Sequence, residues 1–354
     1  MAKKIKIGIV GVGNIAETHL AAYLKNPDVE IYSFCDINEE NLKEKAEKYG
    51  ITRTYTNVED MVKDPELDAV SVTTWNNGHA SCTIAALNAG KHVLCEKPMA
   101  LNAKLAEEMK EAAEKSGKLL QIGFVRRYGN DCEIVKDFVE KDYFGDIYFA
   151  KAQYTRRNGA PGGWFCDKAR SGGGSLIDLG VHVIDFIRYV TGNPKPVSVY
   201  GITEHRLGDM EGVKVSGKYR AVDAATSKTF DVDDFASAFI KFDNGMTLHV
   251  ETSFSLHTKA GSGKMELFGT KGGAVMNPDL EIYRIENGFM TNTVLDYPTA
   301  FDFNGIFERE INHFVDCIQN GTKCIAPADD GIALMKILDA IYESAATGKE
   351  VTIK

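Results

Sequence analysis

The first 125 residues alternate short apolar runs with stretches of helical spacing, and that alternation leaves few folds open. "KIKIGIV", "EIYSFCD", "DAVSVTT", "KHVLCE" and "LLQIGFV" read as five strands. Between them lie "NIAETHLAAYLKN", "NEENLKEKAEKYG", "HASCTIAALNAG" and "NAKLAEEMKEAAEKSG", which read as helices. Gly50, Gly90 and Gly117 stand where three of these helices should stop. Strands joined by helices run parallel, and such a sheet is covered on both faces. An α/β domain over residues 1–125 is the expectation.

Beyond about residue 128 the pattern changes. "NDCEIVKDFVEKDYFG" reads as a helix and "DIYFAKAQYTR" as a strand; a glycine-rich loop then leads into the helix "SLIDLGVHVIDFIRYVTG". From about 195 to 300 most segments are strands, with "DNG" at 243–245 as a hairpin turn, and two helices close the chain. Residues 126–354 are thus expected to form an α+β domain on a large, mainly antiparallel open sheet. Two domains suit 354 residues, more than one core usually organises. Residues 203–232 are polar and fit no element.

Composition narrows the partners. The formal charge is −9 with no basic block, which excludes nucleic acid and anionic membrane surfaces as natural partners. No apolar run reaches the roughly 18 residues of a membrane span. "MAKKIKIGIVG" reads as a strand and not as a signal peptide. Seven cysteines, scattered and without C-x-x-C, speak against a disulfide framework or zinc site and fit a reducing cytoplasm.

Gly11-Val12-Gly13-Asn14-Ile15-Ala16 follows the first strand and opens the first helix. Gly11 permits the tight turn, Gly13 admits a pyrophosphate to the backbone, and Ala16 lets helix and sheet pack closely. The helix start at Asn14 and Ile15 offers N–H groups to the anion. Asp36 ends the second strand 20 residues after Ala16. Its carboxylate can accept the ribose hydroxyls of NAD and would repel the 2′-phosphate of NADP. Glycines that only serve a turn, with Asp36 capping the next helix, fit the coincidence of features less well.

The ends of later strands should face the same crevice. That nominates Thr74 and Asn76, with His79 either lining the cofactor or capping its helix. Glu96 and Lys97 sit at the exit of "KHVLCE", where Pro98 breaks the ladder. A lysine there can donate to a substrate oxygen and stabilise an alkoxide, with Glu96 orienting it. In the later helix, Asp178, His182 and Asp185 are spaced to share one face amid apolar neighbours. Histidine suits removal of an alcohol proton near neutral pH. Arg156, Asn158 and Trp164, in "RRNGAPGGWF", would either contact a sugar or form an ordered surface loop. Arg126 and Arg127 would either reach cofactor or substrate or pair with carboxylates.

Together "GIVGVGNIA", "FCD", "TTWNNGHA", "AGKHVLCEKPMA" and "GGGSLIDLGVHVIDFI" resemble the Gfo/Idh/MocA oxidoreductase family, which includes glucose–fructose oxidoreductase and inositol dehydrogenases. The resemblance runs through "GTKGG" to "ADDGIALMKILDAI". Trp75 departs from the proline that many members carry there. The resemblance implies an N-terminal Rossmann domain, a C-terminal open-sheet domain, and catalytic roles for Lys97, Asp178 and His182.

The expectation is therefore an NAD(H)-dependent dehydrogenase of a secondary hydroxyl on a sugar, sugar derivative or cyclitol, with no metal and with a homo-oligomeric state, tetramer or dimer. Two rivals remain: a sugar oxidoreductase that recycles a tightly held cofactor, and a non-catalytic NAD-binding sensor.

Overall fold

A computed structural model describes residues 4–208, 210, 212–213, 219–276, 279–299 and 302–354. The polar stretch 203–232 thus lies partly outside the described residues.

The N-terminal part runs β1 (Ile5–Val10), α1 (Asn14–Tyr23), β2 (Val29–Cys35), α2 (Glu39–Tyr49), β3 (Thr54–Tyr55), α3 (Val58–Met61), β4 (Ala69–Val72), α4 (Asn76–Asn88), β5 (His92–Glu96), α5 (Ala103–Ser116) and β6 (Leu120–Gly123). All pairings in this sheet are parallel, in the order β3-β2-β1-β4-β5-β6. That is the dinucleotide-binding order, which reverses direction beside β1. The sequence showed five of the six strands. The two-residue β3 and the one-turn α3 are too short to carry a periodic signal.

The chain continues through α6 (Asn130–Glu140), β7 (Ile147–Thr155), α7 (Lys168–Ser171), a π-helical turn at Leu176–Gly180, α8 (Val181–Val190), β8 (Pro196–Glu204), β9 (Phe235–Phe242), β10 (Thr247–Ser253), β11 (Met265–Gly269), β12 (Gly272–Met276), β13 (Glu281–Glu286) and β14 (Phe289–Thr293). It ends in α9 (Phe303–Asn320), α10 (Ala328–Thr347) and β15 (Val351–Thr352). Nine strands form the second sheet, β14-β13-β12-β11-β7-β10-β9-β8-β15. Only the central β7–β10 pair is parallel, so the expected antiparallel open sheet is present. The β14 strand, "FMTNT", lacks a clean alternation and escaped the sequence reading.

Two compact units emerge: the described residues up to Val125 with Phe303–Met335, and Arg126–Asp302 with Lys336–Lys354. The first domain read from the sequence stopped at 125, whereas the compact unit also takes in α9 and the start of α10. In that unit α9 lays Ile311, Phe314 and Val315 into the core of Ile7, Ile9, Leu20 and Phe34. The segment before α10 extends the β6 edge, where the Ile122 N–H donates to the Ala326 carbonyl at 2.9 Å.

The second sheet has two unlike faces. Leu248, Val250 and Ala152 point into the core, as do Ala238 and Leu267. Leu248, Val250 and Phe254 alternate in "LHVETSF", a pattern that would suit an exposed apolar face, but all three are buried in the core. The opposite face carries Tyr200, Phe239 and His249 in register, with the Phe239 and His249 rings stacked at 4.6 Å.

No disulfide joins any of the seven cysteines. Among the described residues no helix is long and apolar enough to cross a membrane.

Candidate active site

In the first unit the parallel strands end at one edge, and the glycine turn sits there. Gly11 has φ +86°, and a Cβ added to it would lie 2.8 Å from the Thr74 backbone. Only glycine fits that crossing of β1 and β4. Gly13 caps α1 without any side-chain hydrogen bond to the first turn, and a Cβ added there meets nothing within 4 Å. The α1 N-terminus, with Asn14 and Ile15, therefore opens on space a pyrophosphate can enter.

Asp36 follows β2 and is half-buried. Its Oδ2 accepts the Val12 N–H at 2.8 Å and its Oδ1 accepts the Asn38 N–H at 2.8 Å. The helix cap beyond it is Asn38, which accepts from Asn41. Asp36 is thus held by the glycine turn itself, with acceptor capacity left on a carboxylate at the strand end. The residues present fit a dinucleotide.

Two ties join the neighbouring strand exits. The Thr73 hydroxyl donates to the Gly11 carbonyl at 2.6 Å. The His79 ring, buried in the first turn of α4, has Nδ1 2.7 Å from the Pro98 carbonyl and Nε2 3.2 Å from the Thr74 carbonyl. Burial lowers the His79 pKa, which favours the neutral ring. A neutral imidazole has one N–H, and the shorter contact suits it. His79 thus braces the β4 exit against the β5 exit. Thr74 stays half-buried at the strand end, while Asn76, the first residue of α4, is buried.

Lys97 leaves β5 half-buried, and its bond to Pro98 is cis. Glu96, fully inside, accepts the Lys97 N–H on Oε2 at 3.1 Å and meets His19 Nε2 on Oε1 at 2.9 Å. It therefore holds the lysine's backbone. Burial pushes the Glu96 carboxyl up, but the His19 hydrogen bond and charge, with Lys97, bring it below the usual range. Glu310, from α9, is fully buried beside them. Burial and the Glu96 charge raise its pKa well above a normal carboxyl.

The second unit carries the other candidates. From Gly173 to Arg188 every residue is buried except Asp178, in the π-helical turn, and His182, at the start of α8. Arg156 Nη1 lies 4.0 Å from Asp178 Oδ2. The Tyr154 ring lies 6.4 Å from the His182 ring, and the Arg156 guanidinium lies 5.4 Å from the Tyr154 ring centre. The end of β7 thus gathers Tyr154 and Arg156 around the two openings of a buried helix.

Asp185 does not join that group. It is buried against Arg127, Oδ2 to Nε at 3.0 Å and Oδ1 to Nη2 at 2.5 Å. Its expected shared face with Asp178 and His182 is corrected: the π turn re-phases Asp178 relative to α8, and the buried guanidinium takes Asp185. Arg126 pairs with Asp131 at 2.6 Å and lies over the Phe186 ring. It belongs to the second unit, whereas the other cofactor candidates belong to the first. Asn158 bridges to Ser255, and Trp164 packs on Phe165 with its backbone N–H held by Asp223.

Residues 5–124 match the family model described as the oxidoreductase family, NAD-binding Rossmann fold, and residues 133–275 match the GFO/IDH/MocA C-terminal domain. A D-glucoside 3-dehydrogenase of Escherichia coli is 34% identical over 99% of this chain and 97% of its own length. The chain belongs to the Gfo/Idh/MocA oxidoreductase family. A myo-inositol 2-dehydrogenase of Thermotoga maritima is 30% identical over 76% of this chain and 74% of its own. A solved levoglucosan dehydrogenase with NADH and L-sorbose shares the fold over the full length of both chains, with TM-score 0.86 and 23% identity.

Within this family member, sequence reasoning passed over His19, Glu310 and Tyr154. His19 and Glu310 sit in helices whose apolar spacing hides them, and only their partners mark them out. Tyr154 was visible as an aromatic two residues before Arg156 on a strand, hence on the same face.

Proposed function

We propose that the protein is an NAD(H)-dependent dehydrogenase acting on a secondary hydroxyl of a sugar, sugar derivative or cyclitol, with Lys97, Asp178 and His182 as catalytic residues. The observation that carries this reading is the buried segment from Gly173 to Arg188, helical from Ser175 on and open only at Asp178 and His182. Polar groups on so apolar an element are costly unless they serve a partner. The relatives named for glucoside and inositol dehydrogenation support the substrate class.

Bound NAD supplies the hydride acceptor. His182 takes the hydroxyl proton as general base. The Lys97 ammonium holds the same oxygen and stabilises its developing charge. Asp178 accepts a neighbouring hydroxyl, and the Arg156 guanidinium lies 4.0 Å from that carboxylate. Asn158 and Trp164 supply a donor and an apolar ring face to the sugar. Asp36 selects NAD over NADP, and Glu96 and His79 fix the backbone on either side of Lys97.

The reading includes a homo-oligomer packed through the open face of the second sheet. Tyr200, Ile202 and Phe239 stand exposed on that face. A reducing compartment suits the thiols, of which Cys35, Cys95, Cys132 and Cys166 are deeply buried.

The test is NADH formation from a panel of glucosides, free sugars and inositols. Turnover on at least one member is expected. NAD binding without turnover on any of them, in either direction, would sink the reading in favour of a sensor.

A further inference from the structure

Asp233 stands just before β9 and belongs to no sequence motif noted above. It is buried, and its carboxylate takes four donors. Oδ1 accepts the Gly174 N–H at 2.8 Å and the Tyr342 hydroxyl at 2.7 Å. Oδ2 accepts the Ser175 hydroxyl at 2.9 Å and the Leu176 N–H at 3.0 Å. Its backbone carbonyl also accepts the Ser175 N–H at 3.0 Å.

Three of these four donors, from Gly174, Ser175 and Leu176, are at the start of the helix that carries Asp178 and His182. A helix start leaves its first N–H groups without intrahelical acceptors. Ser175 makes no side-chain cap of its own. Asp233 supplies the cap from another part of the chain, and its negative charge suits that end of the helix. The approach is close: a Cβ on Gly174 would lie 1.8 Å from the Asp233 carbonyl oxygen. Only glycine admits the contact. The next link is direct, since the Asp178 N–H donates to the Gly174 carbonyl at 2.9 Å.

We propose that Asp233 is a positioning residue for this enzyme: by clamping Gly174, Ser175 and Leu176 it sets where Asp178 and His182 stand. The inference rests on the reading of those two as catalytic residues. Tyr342 completes the clamp from α10 and fixes which way the carboxylate faces.

Asp233→Asn keeps the shape but turns an NH₂ toward N–H and O–H donors, so one side of the clamp opens. The turnover number per native enzyme should fall about 10- to 100-fold, the scale of a small misplacement of reacting groups. The dissociation constant for NAD, measured by calorimetry, should stay at the wild-type value, because the cofactor candidates of the first unit are untouched. The pH profile of kcat should move, since the surroundings of His182 change. A role in stability alone would lower Tm and leave kcat and its pH profile unchanged in the native fraction; that result overturns the inference. Tyr342→Phe removes one donor and leaves the carboxylate and loop in place. It should lower kcat by a smaller factor, and it decides the matter if Asp233→Asn does not fold: unchanged kcat and pH profile in Tyr342→Phe would then overturn the inference. His182→Ala is run beside them. If it loses turnover while Asp233→Asn keeps it, the positioning role alone falls. If His182→Ala keeps turnover, the catalytic reading falls and the inference with it.

Discussion

Glu310 on α9 faces Glu96 at the end of β5, and neither Glu310 carboxylate oxygen has a hydrogen-bond partner among the described residues. Donor atoms of His19, Glu96 and Glu310 lie within 4.8 Å of one another, all buried. With Lys97 beside Glu96, one carboxylate is balanced and a second would not be. Glu310 is therefore expected to keep its proton to a higher pH than an ordinary carboxyl.

That proton has a cost at higher pH. In the unfolded chain Glu310 ionises at the ordinary carboxyl value, while in the folded protein burial and the Glu96 charge hold its pKa well above 4.5. Between the two values the folded state binds more protons, so stability falls as pH rises through that window. Glu96 works the other way: its folded pKa is lowered, so its contribution is present above the unfolded value and is lost on acidification. His19, Lys97 and Tyr23 are the other titratable groups around the pair. Glu310→Gln should flatten the decline and raise Tm by several degrees at pH 8 relative to wild type, with little difference at pH 5. Parallel Tm curves for the two proteins would show that Glu310 does not carry the extra proton.

Asp36 should set cofactor choice. Its carboxylate stands at the end of β2 beside the glycine turn and is fixed by Val12 and Asn38 N–H donors. Wild-type kcat/KM should favour NAD over NADP. Asp36→Ser with Ile37→Arg should lower the NAD value about 10- to 100-fold, the scale of losing one charged hydrogen-bond acceptor, and should raise the NADP value. Steady-state kinetics with both cofactors on one substrate decide it, and a wild-type preference for NADP would remove Asp36 from the site.

Much of this was legible because local pattern and tertiary need agree. Each helix of the first unit longer than one turn advertised its spacing, and Gly11, Gly13 and Asp36 lie at fixed offsets that only a strand–turn–helix explains. Lys97 was visible because charge and proline cannot continue a buried strand. Long-range pairing was not legible. Nothing near Asp185 in the sequence says that Arg127, 58 positions earlier, would claim it. The same holds for Asp233 and Gly174, and for Glu310 and Glu96. The π turn at Leu176–Gly180 also left no trace, since its spacing differs from an α-helix by one residue.

The open face of the second sheet should be an interface between copies. Phe239, 47% exposed, pairs across strands with Tyr200, 48% exposed, and stacks on His249. Phe239→Glu puts a charge amid that aromatic row and points away from the core. It should shift the mass measured by light scattering toward the monomer while leaving the circular dichroism spectrum unchanged. A wild-type protein that is monomeric at every concentration would remove the interface.

Lys97 and His182 should fail together. Lys97→Ala should keep Tm and NAD affinity near wild type, because the residue lies beyond β5 and Glu96 still holds its backbone N–H. It should lower kcat about 10²- to 10³-fold, as loss of one oxyanion donor does. Lys97→Arg should recover little, since a planar guanidinium does not replace a compact ammonium at a single oxygen. His182→Ala should lose a comparable factor at neutral pH, and the loss should shrink in alkaline buffer, where hydroxide partly replaces the base. In the double variant the two losses should fall well short of multiplying, because in the proposed reaction both side chains act on one oxygen and its proton. Rates for the four proteins across a pH series give the answer. Near-normal turnover in Lys97→Ala would leave Lys97 as a charge at a strand end, and the alkoxide would need another donor.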